Sequence, residues 1–430
     1  MYFIYNLLLL TLFPFWFPLA FGKMFFSASR RQVLAQKLGF LPEEILAKIK
    51  GQPRIWVHAV SMGEVSAIHP LIRQMREMFP KAAILLSTGT ESGQKIARER
   101  VTEATATFYF PLDLPFVVQG VIRKIRPDLF LVAETELWPN FLHIAKREGV
   151  RTLMVNGRIS DRSFPRYKMT RFFWRAVFDD LDAMSMIRIQ DGERAISIGA
   201  NPVKVFANGN CKFDQAFLAA TPEIPREMEQ LLAIGEGDLV FVAGSTHEGE
   251  DEPVLRAFQK IRAKYPTMLL LLVPRHIDRT AKIEKILRQN GFGDFILRSQ
   301  LGRGRRKGKS VILWDTLGEL FKVYSVATLV FCGGSLVPRR GQNILEPAAW
   351  GKVILYGPSF EDFQDAHELL QKAGAGIVVK DEGELAERSL YLLDHPQELE
   401  KRGEAGREAL WANRGATSRN LALVKKLLET

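Results

Sequence analysis

The stretch WVHAVSMGEVSA, residues 56–67, decides the fold of the first half of the chain. It begins as a short apolar run, enters a turn of small residues and continues with helical periodicity. Glu64 follows the glycine of this stretch, where strand gives way to helix. Strands that lead at once into helices are the units of parallel sheets. The stretch therefore predicts a βα unit with a carboxylate at its turn.

The same pattern repeats along the chain and predicts an α/β protein with two doubly wound domains in tandem. The predicted strands are IWVHAV, AAILLS, LFLVAE, TLMVN, AMSMIRI and VKVFAN in the first half, and LVFVAGS, MLLLLVP, SVILWD, TLVFCGG and KVILYG in the second. A stretch containing two prolines, residues 213–225, is interpreted as the linker.

Composition narrows the class of protein. The chain has 430 residues, 47% hydrophobic and 25% charged, which is typical of a folded globular protein. At about 150 residues per domain, this length predicts two or three domains. The net charge of +11 favours an anionic partner, such as nucleic acid, acidic lipid or a phosphorylated substrate. Cys211 and Cys332 belong to no disulfide or zinc pattern, which fits a reducing compartment.

The N-terminus predicts a membrane anchor. Residues 1–22 carry no charged side chain, and about 20 apolar residues suffice for a spanning helix. A cleaved signal peptide is the alternative, but it normally begins with positive charge, whereas here Lys23, Arg30, Arg31 and Lys37 follow the apolar run. We therefore expect a single-pass protein whose body lies in the cytoplasm, anchored to the inner face of a membrane.

Two further patterns bear on partners. The histidines show no metal-binding spacing, so no metal site is predicted. The stretch RYKMTRFFWRAVF, residues 166–178, alternates basic and large apolar residues. This alternation fits contact with lipid and its phosphates, and equally a core-packed amphipathic helix.

Polar and charged residues follow most of the predicted strands. In such sheets, ligands bind at the carboxyl ends of the strands. Residues 244–255 leave a strand and open a helix, which suits a phosphate, although ordinary N-capping explains this segment alone better. Residues 274–276 place Arg275 and His276 near any bound anion, or form a turn that ends a strand. The carboxylate of Glu346 can accept hydrogen bonds from a ribose diol, or it can interact with the positive end of a helix dipole. The segment 315–320 has the same two interpretations. Together these sites favour a nucleotide site in the second half.

The loops also resemble a known family. In chain order, WVHAVSMGEV, FPLDLP, PDLFLVAETELWPN, VNGRISDRSF, GNCKFD, AGSTHEGED, PRH, DTLGEL, GGSLVP and NILEP are similar to the 3-deoxy-D-manno-octulosonic acid (Kdo) transferases of lipopolysaccharide biosynthesis. The resemblance implies a GT-B fold, with two Rossmann-like domains facing a cleft. It also implies transfer of Kdo from CMP-Kdo to a lipid A precursor, lipid IVA, without a metal or other cofactor and without nucleic acid.

The resemblance assigns roles to residues and domains. It implies that Glu64 is the general base and that Glu134 and Lys212 stabilise the transition state. The implied CMP-Kdo contacts are Pro274, Arg275, Leu317, Gly318, Glu319, Asn343, Ile344, Leu345 and Glu346. The expected division is a transmembrane anchor at 1–22, an acceptor-binding domain at 23–213 and a CMP-Kdo-binding domain at 214–430.

This sequence departs from the family at one motif. The family usually has Gly-Gly-His-Asn before the Leu-Glu-Pro triplet, and here Arg340, Gly341, Gln342 and Asn343 occupy those positions. Glutamine lacks the charge of histidine but can donate a hydrogen bond.

Glu64 itself has two interpretations. A carboxylate in a partly apolar turn can have a raised pKa, which suits a general base. Alternatively, a carboxylate at the start of a helix only interacts with the helix dipole, which contributes ~1 kcal/mol to stability.

The architecture alone also leaves other functions open. One is another GT-B enzyme, such as a lipid A disaccharide synthase or a sugar-nucleotide epimerase. The other is a non-catalytic membrane-tethered binder of nucleotides or anionic lipid.

Overall fold

The computed structural model describes residues 1–21, 27–218, 220–235, 237–302 and 308–429. The strands are β1 (Arg54–His58), β2 (Ala83–Thr88), β3 (Ala106–Tyr109), β4 (Leu129–Ala133), β5 (Arg151–Gly157), β6 (Ala183–Met186), β7 (Val205–Ala207), β8 (Val240–Thr246), β9 (Leu269–Pro274), β10 (Ile296–Leu297), β11 (Val311–Leu313), β12 (Leu329–Cys332), β13 (Ile354–Tyr356) and β14 (Gly376–Val378).

The helices are α1 (Tyr2–Phe21), α2 (Ala28–Lys37), α3 (Glu43–Lys48), α4 (Met62–Met78), α5 (Glu91–Arg100), α6 (Pro115–Ile125), α7 (Pro139–Arg147), α8 (Phe164–Met169), α9 (Arg171–Asp179), α10 (Ile189–Ile198), α11 (Cys211–Leu218), α12 (Glu223–Leu232), α13 (Asp251–Lys264), α14 (Thr280–Gln289), α15 (Leu320–Ser325), α16 (Leu345–Ala349), α17 (Gln364–Lys372), α18 (Glu382–Asp394), α19 (Pro396–Ala412) and α20 (Ala416–Glu429).

The chain divides into two compact units. Unit 1 comprises Met1–Gln215 with Asn413–Thr430, and unit 2 comprises Ala216–Ala412. Each contains one parallel sheet of seven strands, with the order β3-β2-β1-β4-β5-β6-β7 in unit 1 and β10-β11-β9-β8-β12-β13-β14 in unit 2. The order reverses between β1 and β4 in the first sheet and between β8 and β12 in the second. Ligands of doubly wound sheets bind at such reversals.

Both faces of the first sheet are buried, as the apolar strands require. Alternate residues of β1 face opposite layers: Trp56 packs with Phe130 and Phe141 on one side, and Ile55 and Val57 join the core on the other. Trp56 is fully buried, so its truncation to alanine is expected to cost ~3–5 kcal/mol of folding free energy. This rigid strand fixes the start of α4, where Glu64 lies.

The last helix differs from the expected domain division. Residues 413–430 belong to unit 1, although the sequence assigns them to the second domain with the rest of 214–430. Val424 and Leu421 of α20 join the core layer that covers the first sheet. Asp214 fastens the entry to this helix, since its carboxylate accepts from the amides of Gly415 and Thr417, both at 2.6 Å.

The N-terminal helix α1 has about the length of the expected anchor, and the anchor's last residue, 22, and Lys23 lie outside the described residues. In the part of the chain that the structure describes, no helix combines the length and apolar character needed to cross a bilayer. The predicted transmembrane helix is therefore not supported. The first turns of α1 form hydrogen bonds to other parts of unit 1, where the side-chain oxygen of Asn6 accepts from the side-chain amide of Asn140 at 2.6 Å.

Candidate active site

Glu64 lies in the first turn of α4, beside the strand-order reversal of the first sheet. Ser61 caps this helix, and its hydroxyl donates to Glu64 Oε1 at 2.8 Å, while the Val60 amide donates to Oε2 at 2.7 Å. The carboxylate thus folds back over the helix start, as in a capping box. Burial, and then repulsion by Glu134, raise the pKa of Glu64 to about 7 despite these hydrogen bonds. Such a group exchanges protons near neutral pH.

Glu134 lies on the other side of the same reversal, directly after β4. Its backbone is left-handed, with φ 58°, which is uncommon for a residue other than glycine. Its amide donates to the Val155 carbonyl at 2.7 Å, and its carboxylate pairs with Lys212 Nζ at 3.0 Å. Burial, and then the charge of Glu134, also raise the pKa of neighbouring Glu136. Three carboxylates and an ammonium group therefore cluster at the carboxyl edge of the first sheet.

Asn156 positions Lys212 in this cluster. It is buried at the end of β5, next to β4, and also has a left-handed backbone, with φ 57°. Its side-chain oxygen accepts from the Cys211 amide at 3.0 Å, which fixes the first residue of α11. Lys212 is the next residue, so this bond sets where the ammonium group meets Glu134.

The corresponding edge of unit 2 is organised by a buried carboxylate, Glu250. It accepts four amides: those of His247 at 2.8 Å, Gly334 at 2.6 Å, Ser335 at 2.9 Å and Leu336 at 2.9 Å. These amides belong to the loops after β8 and β12, the two strands at the reversal of this sheet. Neighbouring Gly333 has no room for a side chain, because a Cβ there would lie 2.6 Å from the Ser245 carbonyl oxygen.

Cationic side chains surround the loop after β8. Burial, and then the charges of His276, Arg339, Arg275 and Arg279, lower the pKa of His247 to about 4. Arg275 is half-buried, and its amide donates to the Thr246 carbonyl at 3.0 Å. This edge is therefore electropositive and suited to binding an anion.

Hydrogen bonds among their own side chains and to neighbouring residues hold the loops after β11 and β12 at this edge. Glu319 accepts from Arg298 at 2.8 Å and Trp314 at 3.1 Å, and also from the Thr316 hydroxyl. Burial alone would raise the pKa of Glu319, but the bonds from Thr316 and Arg298 hold it below its usual value. Beyond β12, Asn343 donates to Glu346 at 3.2 Å and accepts from the Leu345 amide at 3.2 Å.

Comparison with known proteins decides the family. A family model described as 3-Deoxy-D-manno-octulosonic-acid transferase (kdotransferase) matches residues 32–215. The 3-deoxy-D-manno-octulosonic acid transferase of Haemophilus influenzae is 34% identical over 408 residues, covering 94% of this chain and 93% of that protein. The chain belongs to this transferase family. A relative of the same name from Aquifex aeolicus is 31% identical, covering 84% of this chain and 91% of its own.

Members of this family are glycosyltransferases, so the chain is an enzyme of that class. This finding favours the transferase over the predicted alternatives of a non-catalytic binder and of other enzymes with this architecture. A solved UDP-GlcNAc 2-epimerase from Neisseria meningitidis has a TM-score of 0.62 and covers 88% of this chain and 100% of its own. At 14% identity it shows a shared fold and nothing more.

The structure brings the three predicted catalytic residues to one sheet edge and distributes the predicted CMP-Kdo contacts over another. Pro274 ends β9 and Arg275 follows it, and exposed Leu317 and Gly318 follow β11. Ile344 and Leu345 are each 2% exposed, so their side chains pack in the core and leave the backbone for any ligand contact.

The residues that depart from the family motif, Arg340 and Gln342, contact other side chains in the structure. Arg340 pairs with Asp362 at 2.7 Å. Gln342 lies with its amide nitrogen 3.4 Å from His247 Nε2, so it contacts the loop after β8. Glutamine at this position thus retains a polar contact to the histidine of the motif AGSTHEGED.

Two positioning residues escaped the sequence prediction. Asn156 and Glu250 both lie in quoted motifs, yet neither was assigned a role. The sequence indicates such a role only in part. A polar residue directly after an apolar strand needs hydrogen-bond partners if it is buried. Which amides they accept depends on loops far away in sequence, as Glu250 and Ser335 illustrate.

Two further features concern metal ligands and cavities. Within the described ranges, no group of three or more histidine, cysteine, aspartate or glutamate side chains is arranged to hold a metal ion. An open cavity of about 720 Å³ lies in unit 1, lined by residues that include Arg126, Asp128 and Arg151. These residues precede β4 or begin β5, so the cavity lies at the amino edge of the sheet, away from Glu64.

Proposed function

We propose that this enzyme transfers Kdo from CMP-Kdo to a lipid A precursor, lipid IVA, in lipopolysaccharide core biosynthesis, with inversion at the anomeric carbon. Membership of the Kdo transferase family supports the reaction class. The observation that carries the catalytic assignment is the half-buried Glu64 carboxyl, whose pKa burial and Glu134 raise to about 7 at the strand-order reversal.

Glu64 acts as the general base in this proposal. Its carboxylate removes the proton of the acceptor hydroxyl as that oxygen attacks the anomeric carbon of Kdo. The bond from this carbon to the phosphate oxygen of CMP breaks, and its electron pair leaves with CMP. The hydrogen bonds from Val60 and Ser61 occupy only part of the carboxylate, which has about four acceptor sites.

Lys212 and Glu134 stabilise the charges of the transition state. The 3.0 Å ion pair holds the ammonium group at the edge where Glu64 lies, and Asn156 fixes the helix that carries it. We assign Lys212 to the negative charge that builds on the departing phosphate, and Glu134 to the positive charge on the sugar ring. A preorganised charge of this kind typically contributes ~10²–10³-fold to the rate.

We assign the donor to unit 2. The electropositive loops after β8 and β9 suit the CMP phosphate and the Kdo carboxylate, and Arg275 is the predicted contact there. Pro274, the segment 317–319 and the segment 343–346 complete the proposed donor site. No metal or cofactor enters this mechanism, since charged side chains of the protein accompany each charge that develops.

We assign the acceptor to unit 1 and the protein to the cytoplasmic side of the inner membrane. A lipid acceptor resides in a membrane, and the two free cysteines, both buried, fit a reducing compartment. The cleft between facing domains, which the family resemblance implies, stays a prediction.

The reaction is tested by mass spectrometry of tetraacylated lipid A precursor after incubation with purified protein and CMP-Kdo generated in situ. A gain of whole Kdo units supports the proposal and counts the transfers. An unchanged acceptor, with a known Kdo transferase active in the same mixture, would contradict it.

The role of Glu64 is tested by Glu64→Gln. We expect a fall in kcat of ~10²–10⁴-fold with the fold retained, because an amide cannot accept the proton. The wild-type rate should rise with pH through about 7, where Glu64 loses its proton.

Glu384→Gln is a matched control for Glu64→Gln. Glu384 caps α18 in the same way, accepting from the amide of Lys380, four residues earlier, at 3.0 Å. We expect this variant to keep full activity. Near-normal turnover of Glu64→Gln would leave Glu64 as a helix cap only.

A further inference from the structure

Arg158 follows β5 at the carboxyl edge of the first sheet, and no residue that the structure describes pairs with its charge. Its side chain is half-buried, and its Nε atom is enclosed by protein without a hydrogen-bond partner. Within the described ranges the guanidinium group forms no ion pair and no hydrogen bond. Arginine is rarely buried in proteins without a paired acid. The position of this charge therefore needs an explanation.

Two other arginines with an enclosed Nε show how such a charge is normally accommodated. Arg279 pairs with Asp251, and Arg298 pairs with Glu319 at 2.8 Å. Each of these arginines is therefore neutralised by a carboxylate of the chain. Arg158 differs from both, because no carboxylate of the described residues is paired with it. An anion from outside the chain would give Arg158 the same environment.

The backbone of Arg158 is fixed beside the carboxylates of unit 1. Its amide donates to the Thr135 hydroxyl at 2.8 Å, and its carbonyl accepts from the same hydroxyl at 2.5 Å. Thr135 directly follows Glu134 in the loop after β4. The next residue, Ile159, is buried, and its amide donates to Asp191 at 2.9 Å. Arg158 is therefore anchored on both sides, next to the loop that carries Glu134.

The location of Arg158 indicates which anion it meets. The planar fork of a guanidinium group matches the oxygens of phosphate and carboxylate. The choice between substrates rests on the proposed function, which assigns the acceptor to unit 1 and the anionic groups of the donor to unit 2. Strand β4 lies between β1 and β5, so the ends of β1 and β5 are ~10 Å apart. One phosphorylated sugar together with an arginine side chain bridges this distance.

We propose that Arg158 binds a phosphate group of the acceptor and thereby orients the acceptor hydroxyl towards Glu64. Its guanidinium group donates two parallel hydrogen bonds to the phosphate oxygens, which fixes the direction of the sugar as well as its position. Arg158 is then a specificity-determining residue, because it favours a phosphorylated acceptor over the same lipid without phosphate.

Binding of the acceptor tests this inference without CMP-Kdo, so the result does not depend on whether transfer occurs. Isothermal titration calorimetry measures the Kd of the full-length protein for tetraacylated lipid A precursor in micelles of a nonionic detergent. The same titration is made with the dephosphorylated precursor. We expect Arg158→Met to raise the Kd for the phosphorylated precursor at least ~10-fold and to change the Kd for the dephosphorylated one less than about twofold. Methionine keeps an apolar side chain at the enclosed position, so the fold should be retained.

Two further variants separate charge, geometry and non-specific effects. Arg158→Lys should retain only part of the affinity for the phosphorylated precursor, because lysine keeps the charge but lacks the planar fork. Arg73→Met is the matched control, since Arg73 is an exposed residue of α4 that pairs with Glu77 at 3.3 Å. We expect this control to bind both acceptors as the wild type does.

Three results would overturn the proposal. The first is equal weakening of both acceptors by Arg158→Met, which would give Arg158 a structural role. The second is unchanged binding of the phosphorylated precursor, and the third is a wild type that binds the two acceptors equally. In the transfer assay, a tenfold higher KM for CMP-Kdo with unchanged acceptor binding would assign Arg158 to an anionic group of the donor instead. Failure of the proposed function has a different signature, namely a wild type that binds the acceptor but transfers no Kdo.

Discussion

The carboxyl edges of the two sheets share a topology and differ in charge. The edge of unit 1 gathers three carboxylates around one ion pair, whereas the edge of unit 2 gathers arginines and histidines around a loop held by a buried carboxylate. In unit 1 Glu64 and Glu134 follow the two strands at the order reversal, and in unit 2 the two loops that Glu250 holds follow the corresponding strands. The backbone therefore provides the same kind of sheet edge twice, and the side chains of the loops set the charge there.

This difference shows two ways of using a buried carboxylate. Burial, and then repulsion by Glu134, raise the pKa of Glu64 to about 7, although Val60 and Ser61 donate hydrogen bonds to its carboxylate. Glu250 is fully buried but accepts four amides, and it serves to fix loops. The number of hydrogen bonds thus differs between the carboxylate that we propose as the general base and the one that fixes loops.

After Glu64→Gln, the largest effect is expected from Lys212→Met, which removes the cation that pairs with Glu134. We expect kcat to fall by ~10²–10³-fold, because the transition state loses a preorganised charge. Single-turnover measurement of CMP release checks this. Lys425→Met is the control, since Lys425 forms an exposed pair with Glu429 at 3.8 Å. A kcat within threefold of the wild type would remove Lys212 from the mechanism.

The next effect is on folding. Glu250→Ala leaves four amides without their acceptor, and we expect the free energy of unfolding to fall by ~3 kcal/mol. Urea denaturation measures this change. Glu252→Ala, in the first turn of the helix that Glu250 precedes, is the control, because Glu252 is exposed and pairs with Arg256 at 3.7 Å. A loss below ~1 kcal/mol would show that other contacts hold these loops.

A smaller effect is expected from Arg275→Ala, which tests the anion-binding edge. Removing one hydrogen bond to a charged group costs ~1.5–3 kcal/mol, so KM for CMP-Kdo should rise by ~10–100-fold. We expect kcat to change less, because the proposed proton transfer to Glu64 lies in unit 1. Exposed Arg288, paired with Glu284 at 3.3 Å, provides the control Arg288→Ala. An unchanged KM would move the donor away from β9.

Much of this architecture is readable from the sequence, because apolar strands buried on both faces leave a strong signal. Each of the eleven predicted strands corresponds to an observed one. The structure adds β3, β10 and β14, which have two to four residues each and lack a long apolar run. The apolar pattern of α20 identifies a helix but does not say which sheet it covers, so its return to unit 1 was missed.

The candidate site was predictable to a different extent. Glu64 draws attention in the sequence because it follows a strand at a turn. Lys212 comes 78 residues after Glu134, and only the family resemblance linked them before the structure showed the ion pair. The left-handed backbones of Glu134 and Asn156 have no sequence signal, since neither residue is glycine. Contacts between distant loops are fixed by tertiary packing, which local patterns do not report.

The smallest effect is expected from Gln342→His, which restores the residue usual in the family. Gln342 contacts His247 at 3.4 Å, a long bond, whereas Glu250 holds the backbone of His247 at 2.8 Å. The position of His247 therefore depends little on residue 342, and we expect KM for CMP-Kdo to change by less than about threefold, under ~1 kcal/mol.

Steady-state kinetics of Gln342→His and Gln342→Ala measure what the polar side chain contributes. If alanine raises KM more than histidine does, a polar group at this position assists the donor site and glutamine substitutes for histidine. If histidine instead changes KM by tenfold or more, residue 342 contacts the donor directly. The edge of unit 2 would then depend on a side chain that the buried carboxylate does not control, and the contrast with unit 1 would be weaker than the loops suggest.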